Sequence, residues 1–242
     1  MRIPMPGRLT IVPTPVGNLE DMTFRGVAAL RACDFVLAED TRTSSKVMKA
    51  YGISVPMTPF HLNNEHRVAG EMADRIAAAP RGACLVTDAG TPGISDPGYL
   101  LVRSCIERGV EVSCLPGATA FVPALVASGL PCDRFYFEGF LPPKKGRASK
   151  IAEIRDREVT TILYESPLRL PRLFEELSEA LEPERRAVVA REVSKLHETF
   201  HRGTVSELRD CFRDDPPPGE IVVLVAPAAK QGRTHQNKFR QE

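Results

Sequence analysis

Strand-like and helix-like segments alternate along the first half of this chain of 242 residues. Short apolar runs have the length of strands, and the stretches beside them carry the capping residues and apolar spacing of helices. The strand-like runs are 9–12, 35–38, 83–87 and 110–114, and the helix-like stretches are 24–31, 41–51, 65–79 and 99–108. This alternation predicts a parallel sheet covered by helices on both faces.

Pro116 and Gly117 interrupt this pattern, and the second half predicts a mixed sheet with helices. Its strand-like runs are 135–140, 159–164, 186–190 and 221–225, with a further antiparallel strand at 199–203 and helices at 118–128 and 168–181. We therefore predict a two-domain α/β fold. The parallel-sheet domain covers residues 1–117, the mixed-sheet domain covers 118–227, and a basic flexible tail covers 228–242. A ligand in the cleft between two such domains would meet strand ends from both.

Charge and cysteine content limit the classes of protein to which this chain can belong. Lys and Arg number 32 against 31 Asp and Glu, so the net charge of +1 identifies no partner. The six cysteines are scattered without a C-x-x-C pair, which predicts buried free thiols in a reducing compartment and no zinc site. The amino terminus lacks an apolar signal region and no apolar run is long enough for a membrane span, so we expect a soluble cytoplasmic protein.

The segment Asp88–Gly98 concentrates special backbone chemistry between a predicted strand and a predicted helix. Its eleven residues include three glycines and two prolines. A rigid turn at the carboxyl end of a parallel strand is where open α/β sheets bind ligands. An ordinary loop is the alternative, but it rarely needs so many special residues, and we favour a ligand site.

The first strand leads into a different turn from those of the common nucleotide-binding folds. No G-x-G-x-x-G stands there, and no G-x-x-x-x-G-K-[ST] appears anywhere, which disfavours a dinucleotide Rossmann site and a P-loop. The turn Pro13–Asn18 has two prolines and a glycine instead. Such a stiff turn either brings backbone carbonyls to a cleft or is purely structural.

Charged residues follow two of the predicted strands. Glu39 and Asp40, with Arg42 nearby, can orient a substrate, although Asp40 can also simply cap the next helix. After the strand at 159–164, a Ser-Pro pair marks a helix start. A helix start accounts for the Ser-Pro pair, but it gives no reason for the charged residues Glu165 and Arg169 beside it.

Two further charged segments lie in the second half. The segment Arg191–Glu198 contains several ionisable groups just after a predicted strand. They form either a solvated edge of the sheet or a functional site. His197 and His201 have the spacing of a helical metal site, but the residues between them favour a strand, and we expect no metal. Phe140–Lys150 holds four cationic residues and no acid, which suits a phosphate backbone, with a solvated linker as the alternative.

Taken in order, these pieces resemble the tetrapyrrole methylase superfamily, and within it the bacterial enzymes that methylate the ribose 2′-hydroxyl of a cytidine in 16S ribosomal RNA. The resemblance rests on Thr14–Asn18, Glu39–Arg42, Asp88–Gly98, Pro116–Thr119, Gly139–Pro142, Glu165–Pro167 and Arg191–Lys195. Each motif is weak alone, and jointly they are specific. The resemblance implies a two-domain homodimer that uses S-adenosylmethionine and acts on the decoding region of the small ribosomal subunit.

The resemblance also implies positions for the methyl donor. It places the donor against Val16, Asp88, Gly90, Thr91, Ile94, Thr119 and Ala120 and, from the second domain, near Tyr164, Val193 and Gly219. Glycines let the backbone approach the ligand, and small apolar side chains offer walls for adenine. The implied reaction is attack of a ribose oxygen on the donor's methyl carbon, in which positioning supplies most of the acceleration.

The 2′-hydroxyl is weakly acidic and needs a proton acceptor. The candidates are Glu39, Asp40, Lys195 and Glu198, which the sequence does not rank. The expected RNA-binding residues are Arg42, Lys144, Lys145, Arg147, Lys150, Arg169 and Arg191. Aromatic residues make up only 6%, so we expect phosphate and shape contacts to dominate over stacking, with steep salt dependence.

Two other functions are compatible with the same motifs. One is a sibling enzyme that methylates a carbon of a porphyrin-like ring, which needs a large apolar cleft and no basic loop. The other is a non-catalytic RNA-binding or assembly factor on the same fold, which would not bind the methyl donor.

Overall fold

The computed structural model describes residues 7–229 and divides them into two compact units. The first unit runs to Ala120 and includes the short segment Ser194–Leu196, and the second contains the remaining described residues from Phe121 onward. The predicted tail lies mostly outside the described residues. In the part of the chain that is described, no helix has the length and apolar character of a membrane span.

The first unit is built on a five-stranded sheet in which every neighbouring pair is parallel. Its strands are β1 (Arg8–Ile11), β2 (Phe35–Ala38), β3 (Met57–Pro59), β4 (Ala83–Val86) and β5 (Glu111–Cys114), and its helices are α1 (Phe24–Ala32), α2 (Thr41–Ala50), α3 (Leu62–Ala77) and α4 (Tyr99–Glu107). The strand order is β3-β2-β4-β1-β5. The carboxyl ends of all five strands therefore lie at one edge of the sheet. The predicted parallel sheet is confirmed, with one strand more than the four expected.

Helices cover both faces of this sheet, which explains why β2 and β4 are apolar at every position. Alternate residues of a strand point to opposite faces. Phe35 and Leu37 belong to one core cluster with residues of α3 and α4, and Val36 and Ala38 belong to the other with residues of α1 and α2.

The helix starts follow local rules. The Thr23 side chain accepts a hydrogen bond from Gly26 N and caps α1, and Asp40 accepts from Arg42 N and caps α2. The start of α4 is different, because Gly98 has no side chain to cap it. Glu65, a buried acid of α3, accepts hydrogen bonds from Gly98 N at 3.0 Å and Leu100 N at 2.9 Å instead.

The second unit contains a mixed five-stranded sheet in the order β6-β7-β10-β8-β9. Its strands are β6 (Phe135–Phe140), β7 (Thr160–Glu165), β8 (Arg186–Arg191), β9 (Thr199–Thr204) and β10 (Ile221–Val225), and its helices are α5 (Phe121–Ser128), α6 (Arg147–Asp156), α7 (Leu170–Ala180) and α8 (Val205–Phe212). Only β6 and β7 pair in parallel. The antiparallel strand expected at 199–203 is confirmed as β9. Leu163 of β7, Phe174 of α7 and Phe212 of α8 form part of one large core on the helix-covered face.

Several local expectations were wrong or incomplete. No helix was predicted within the basic stretch 140–150, but α6 begins at Arg147 because Ile151 and Ile154 have helical spacing and are buried. Strand β3 and helix α8 were not predicted. Pro123 lies in the first turn of α5, where proline is tolerated. Of the six free cysteines, three are buried, whereas Cys114, Cys132 and Cys211 are exposed.

Candidate functional site

The turns after β1 and β4 are joined at the carboxyl edge of the first sheet. Thr14 N donates to Gly90 O and Gly90 N donates to Thr14 O, both at 2.9 Å. The Thr14 hydroxyl donates to Thr87 O at 3.0 Å. Gly90 has a φ of +84°, in the left-handed region that glycine adopts without strain. This two-way pairing fixes the segment Asp88–Gly98 against the first turn.

The loop after β5 lies against the same two turns. The Thr91 hydroxyl donates to Ala118 O at 2.9 Å. A Cβ at Gly117 would come within 2.7 Å of Pro13 Cβ, so only glycine allows this approach. A Cβ at Gly90 would lie 3.5 Å from Val16 Cγ1, which places Val16 beside that turn. Three turns from distant parts of the sequence therefore form one surface.

This surface carries the groups that a small polar and apolar ligand needs. Thr119 Oγ1 is buried and has no hydrogen-bond partner among the described residues. Such an orphan hydroxyl is rare in proteins and is normally satisfied by a ligand or by water. Ile94 is 38% exposed, and Ala120 is half-buried. The predicted donor-binding residues of the first unit are thus brought together, and they fit a ligand with a polar end and an apolar end.

Four carboxylates follow β2 and β4 at this edge. Glu39 accepts a hydrogen bond from the Thr87 hydroxyl and a long one, 3.4 Å, from Asp88 N. Asp40 N donates to Asp88 Oδ1 at 3.2 Å. Asp96 lies close enough to Glu39 and Asp88 to be repelled by both, while Thr87 favours its charged form. The carboxylates that flank the turn therefore form one cluster.

These carboxylates differ in their pKa values. The Arg42 side chain lowers the pKa of Asp40 to about 2, through hydrogen bonds of which the shortest is 2.7 Å. Partial burial raises the pKa of Asp88, and repulsion from Glu39 adds to that shift. Burial, followed by repulsion from Glu39, raises the pKa of Asp96 to about 6. Asp96 was not among the predicted site residues, because its burial depends on packing that the sequence does not reveal.

The raised pKa of Asp96 predicts a stabilising effect of Asp96→Asn at neutral pH. The folded-state pKa, about 6, lies above the ordinary value of 3.8. The contribution of Asp96 to the free energy of unfolding is therefore fully present only below its ordinary pKa. It is lost as the pH rises through the pKa that Asp96 has in the folded protein. Denaturant unfolding of both proteins at about pH 7 and about pH 5 should show the variant more stable at the higher pH, with a smaller difference at the lower pH. Equal stability of the two proteins at both pH values would contradict this prediction. The control is Asp133→Asn, which removes the charge of an exposed aspartate.

The segment after β8 supplies the other predicted site residues. Glu192 and Ser194 have positive φ values of 53° and 66°, which non-glycine residues rarely adopt. Ser194, in the part that belongs to the first unit, makes a hydrogen bond to Asp21. A Cβ at Gly17 would overlap the Lys195 side chain, so Lys195 lies across the turn that contains Val16.

Within the second unit, the end of β8 pairs with the turn before β10. Glu192 N donates to Glu220 O at 2.9 Å, and Glu220 N donates to Glu192 Oε1 at 2.8 Å. A Cβ at Gly219 would meet that carboxylate at 2.5 Å, and Val193 is buried. Val193 and Gly219 therefore lie in two turns that are hydrogen-bonded to each other. The acceptor candidate Glu198 is exposed just before β9.

Six of the seven expected RNA-binding cations fall into three groups. Lys144 and Lys145 are exposed in the loop before α6. Arg42, Lys150 and Arg169 already pair with acids, at 2.7 Å to Asp40, 3.2 Å to Glu138 and 2.6 Å to Glu165 respectively. Arg191 Nε donates to Pro218 O at 2.5 Å.

Arg147 does not have the exposure that an RNA contact requires. Only 3% of its side chain is exposed, and its Nε lies 2.6 Å from Glu176 Oε2. Its Nη1 lies 3.7 Å from Glu165 Oε2. The expectation that Arg147 contacts RNA is therefore corrected, because two acids from β7 and α7 enclose the guanidinium.

Comparisons with known proteins show the family of this chain. The family model described as Tetrapyrrole (Corrin/Porphyrin) Methylases matches residues 8–209. A protein of Synechocystis sp. named ribosomal RNA small subunit methyltransferase I is 43% identical over 228 residues, which are 94% of this chain and 81% of the relative. A Thermotoga maritima protein of the same name is 40% identical over 220 residues, which are 91% of this chain and 98% of the relative.

A solved structure shows the same fold at low sequence identity. The cobalamin biosynthetic enzyme cobalt precorrin-4 methyltransferase superposes with a TM-score of 0.65, at 19% identity, over 90% of this chain and 94% of the other. At that identity the likeness concerns the fold alone.

Proposed function

Because this chain belongs to the tetrapyrrole methylase family, we propose that it is a methyltransferase of the small-subunit ribosomal RNA that methylates the 2′-hydroxyl of a cytidine ribose in the decoding region. The observation that carries the proposal is the identity of 40% or more, along nearly the whole chain, to relatives named for methylation of this RNA. The family uses S-adenosylmethionine as its methyl donor. The choice of the ribose oxygen as the methylated atom, and of cytidine as the nucleotide, is more specific than the names of these relatives.

The joined turns of the first unit are suited to hold this donor. When bound, S-adenosylmethionine supplies an electrophilic methyl group that needs no further activation. The unpartnered Thr119 hydroxyl can bond to a polar group of the donor, and Ile94 and Ala120 offer apolar contact to its adenine. We retain Val16, Asp88, Gly90 and Thr91 as donor contacts. Tyr164, Val193 and Gly219 of the second unit remain predicted donor contacts.

We further propose Asp96 as the group that accepts the proton of the 2′-hydroxyl. An efficient general base has a pKa near the working pH, and the pKa of Asp96 is raised to about 6. Asp40 suits the role less well, because its pKa is lowered to about 2 and it caps α2. Glu39 is the alternative acceptor, since it lies close enough to Asp96 to raise the pKa of that carboxyl. Lys195 and Glu198 stay in the candidate set.

The exposed Lys144 and Lys145 predict a large share of the salt dependence of RNA binding. Each phosphate contact adds about one to the slope of log affinity against log salt concentration. We expect Lys144→Ala/Lys145→Ala to lower the slope by up to about two, measured by filter binding of small-subunit RNA over a salt series. Lys46→Ala/Lys49→Ala, a pair of exposed lysines on α2, is the matched control. A wild-type affinity that does not change between low and physiological salt would contradict the proposal.

One experiment separates the proposed function from its two alternatives. Labelled S-adenosylmethionine is offered with unmethylated small ribosomal subunits, with free ribosomal RNA and with uroporphyrinogen. We expect label in the RNA, free or assembled. Label in uroporphyrinogen alone would indicate a carbon methyltransferase of a porphyrin-like ring. No label, together with no donor binding by calorimetry, would indicate a non-catalytic RNA-binding factor. The predicted homodimer is tested separately by light scattering.

A further inference from the structure

A row of aromatic rings lies on one face of the second sheet. Phe121 of α5 packs against Phe135 and Phe137 of β6, with ring centroids 6.0 and 4.8 Å apart. Phe137 in turn packs against Tyr164 of β7 at 5.2 Å. Phe140, the last residue of β6, packs against Tyr164 at 5.6 Å. The row therefore ends at the carboxyl ends of the two parallel strands.

A bulge in β6 places Phe140 on this face. Phe137 and Gly139 pair with consecutive residues of β7, so Glu138 is the extra residue. Gly139 has a φ of +71°, in the left-handed region that glycine adopts without strain. In a regular strand, residues three apart point to opposite faces. The bulge reverses this for Phe140, and its ring joins Phe137 and Tyr164.

The Phe140 side chain is accessible to solvent, because the residue is 54% exposed. The chain then enters the loop with the exposed Lys144 and Lys145. Buried Arg147 anchors that loop: its backbone N donates to Lys144 O at 3.2 Å and its Nη1 donates to Pro142 O at 3.4 Å. An open aromatic ring is thus followed directly by two cations on an anchored loop.

We propose that the exposed face of Phe140 stacks an unpaired nucleobase of the RNA substrate, while Lys144 and Lys145 bind the adjacent phosphates. The inference rests on the proposed function, because it assigns the substrate class of the same protein to this surface. Proteins that bind single-stranded RNA combine an aromatic platform with cations that follow the backbone. The stretch from Phe140 to Lys150 contains no acid that would repel phosphates. The composition alone pointed away from stacking, whereas the bulge supplies one well-placed ring.

The test compares a variant that removes the aromatic ring at position 140 with one that keeps an aromatic ring there. Phe140→Leu retains apolar contact with Tyr164 but removes the platform, and Phe140→Trp keeps a platform. Phe24→Leu, at an exposed phenylalanine of α1 in the first unit, is the matched control. The dissociation constant of small-subunit ribosomal RNA transcribed in vitro is measured without donor, and the donor dissociation constant is measured by calorimetry.

We expect Phe140→Leu to weaken RNA binding by about tenfold, and Phe140→Trp and Phe24→Leu to change it by less than about twofold. Donor binding should be the same in all four proteins. RNA binding by Phe140→Leu that matches Phe24→Leu would overturn the inference, as would a loss confined to donor binding or a change only in oligomeric state by light scattering. RNA binding is measured without turnover. A wild type that binds RNA but transfers no methyl group would therefore contradict the proposed function alone.

Discussion

Asp96→Asn should lower kcat for methyl transfer to ribosomal RNA by about 10²- to 10⁴-fold, the usual contribution of a positioned general base. Asparagine has nearly the same shape as aspartate but cannot accept the proton of the 2′-hydroxyl. Wild-type kcat should fall as the pH drops through about 6, because the carboxyl is protonated there. The variant should lose this acid limb. Radiolabel transfer at saturating donor and RNA measures both effects.

Glu39→Gln distinguishes the two acidic candidates. Repulsion from Glu39 contributes to the raised pKa of Asp96. If Asp96 is the acceptor, Glu39→Gln remains active and its acid limb moves to lower pH. An inactive Glu39→Gln beside an active Asp96→Asn would assign the role to Glu39 instead. Unfolding cannot explain the expected loss in Asp96→Asn, because that variant is predicted to be more stable than wild type at neutral pH.

Arg147→Met is expected to destabilise the protein by about 3–5 kcal/mol, the usual cost of removing one partner from a buried ion pair. The Arg147 guanidinium lies between Glu176 and Glu165, and the Glu165 side chain is only 1% exposed. Without the arginine, Glu165 keeps only Arg169 and Glu176 keeps only Arg172 among the described cations, and both of these arginines are far more exposed than Arg147. Urea unfolding monitored by circular dichroism measures the change in the free energy of unfolding.

A surface pair provides the control for this variant. Arg103 and Glu107 are joined at 2.9 Å, but both side chains are more than half exposed. Arg103→Ala should therefore cost less than about 1 kcal/mol. Adding Glu176→Gln to Arg147→Met should recover part of the lost stability. If Arg147→Met unfolded like wild type but lowered the salt slope of RNA binding, Arg147 would be an RNA contact after all.

The parallel sheet of the first unit was predictable because its signals are local. Uninterrupted apolar runs mark strands that are covered on both faces, and cap residues such as Thr23 and Asp40 mark where helices begin. Strand β3 escaped prediction because it is three residues long and ends on a proline, which only edge strands tolerate well. Helix α8 carried a readable signal that was missed, since Thr204 and Glu207 form a capping box at its start.

The candidate site was predictable in its turns but less so in its charges. The glycines and prolines of Asp88–Gly98 indicate an unusual turn from local sequence alone, whatever tertiary contacts the segment makes. The roles of Asp96 and Arg147 depend instead on residues far away in the sequence, such as Glu39 for the first and Glu176 for the second. A cation in a basic run looks the same in sequence whether it faces solvent or two buried acids. The placement of Phe140 likewise depends on a bulge that becomes visible only when β6 pairs with β7.

Identification of the atom that receives the methyl group is the most direct test of the proposed function. Small ribosomal subunits are labelled with the enzyme and a donor that carries a radioactive methyl group, and their RNA is hydrolysed with alkali. A methyl group on a ribose 2′-oxygen blocks alkaline cleavage at that nucleotide. The label is therefore expected in an alkali-resistant dinucleotide that begins with cytidine. Label recovered only in single nucleotides would place the methyl group on a base and contradict ribose methylation.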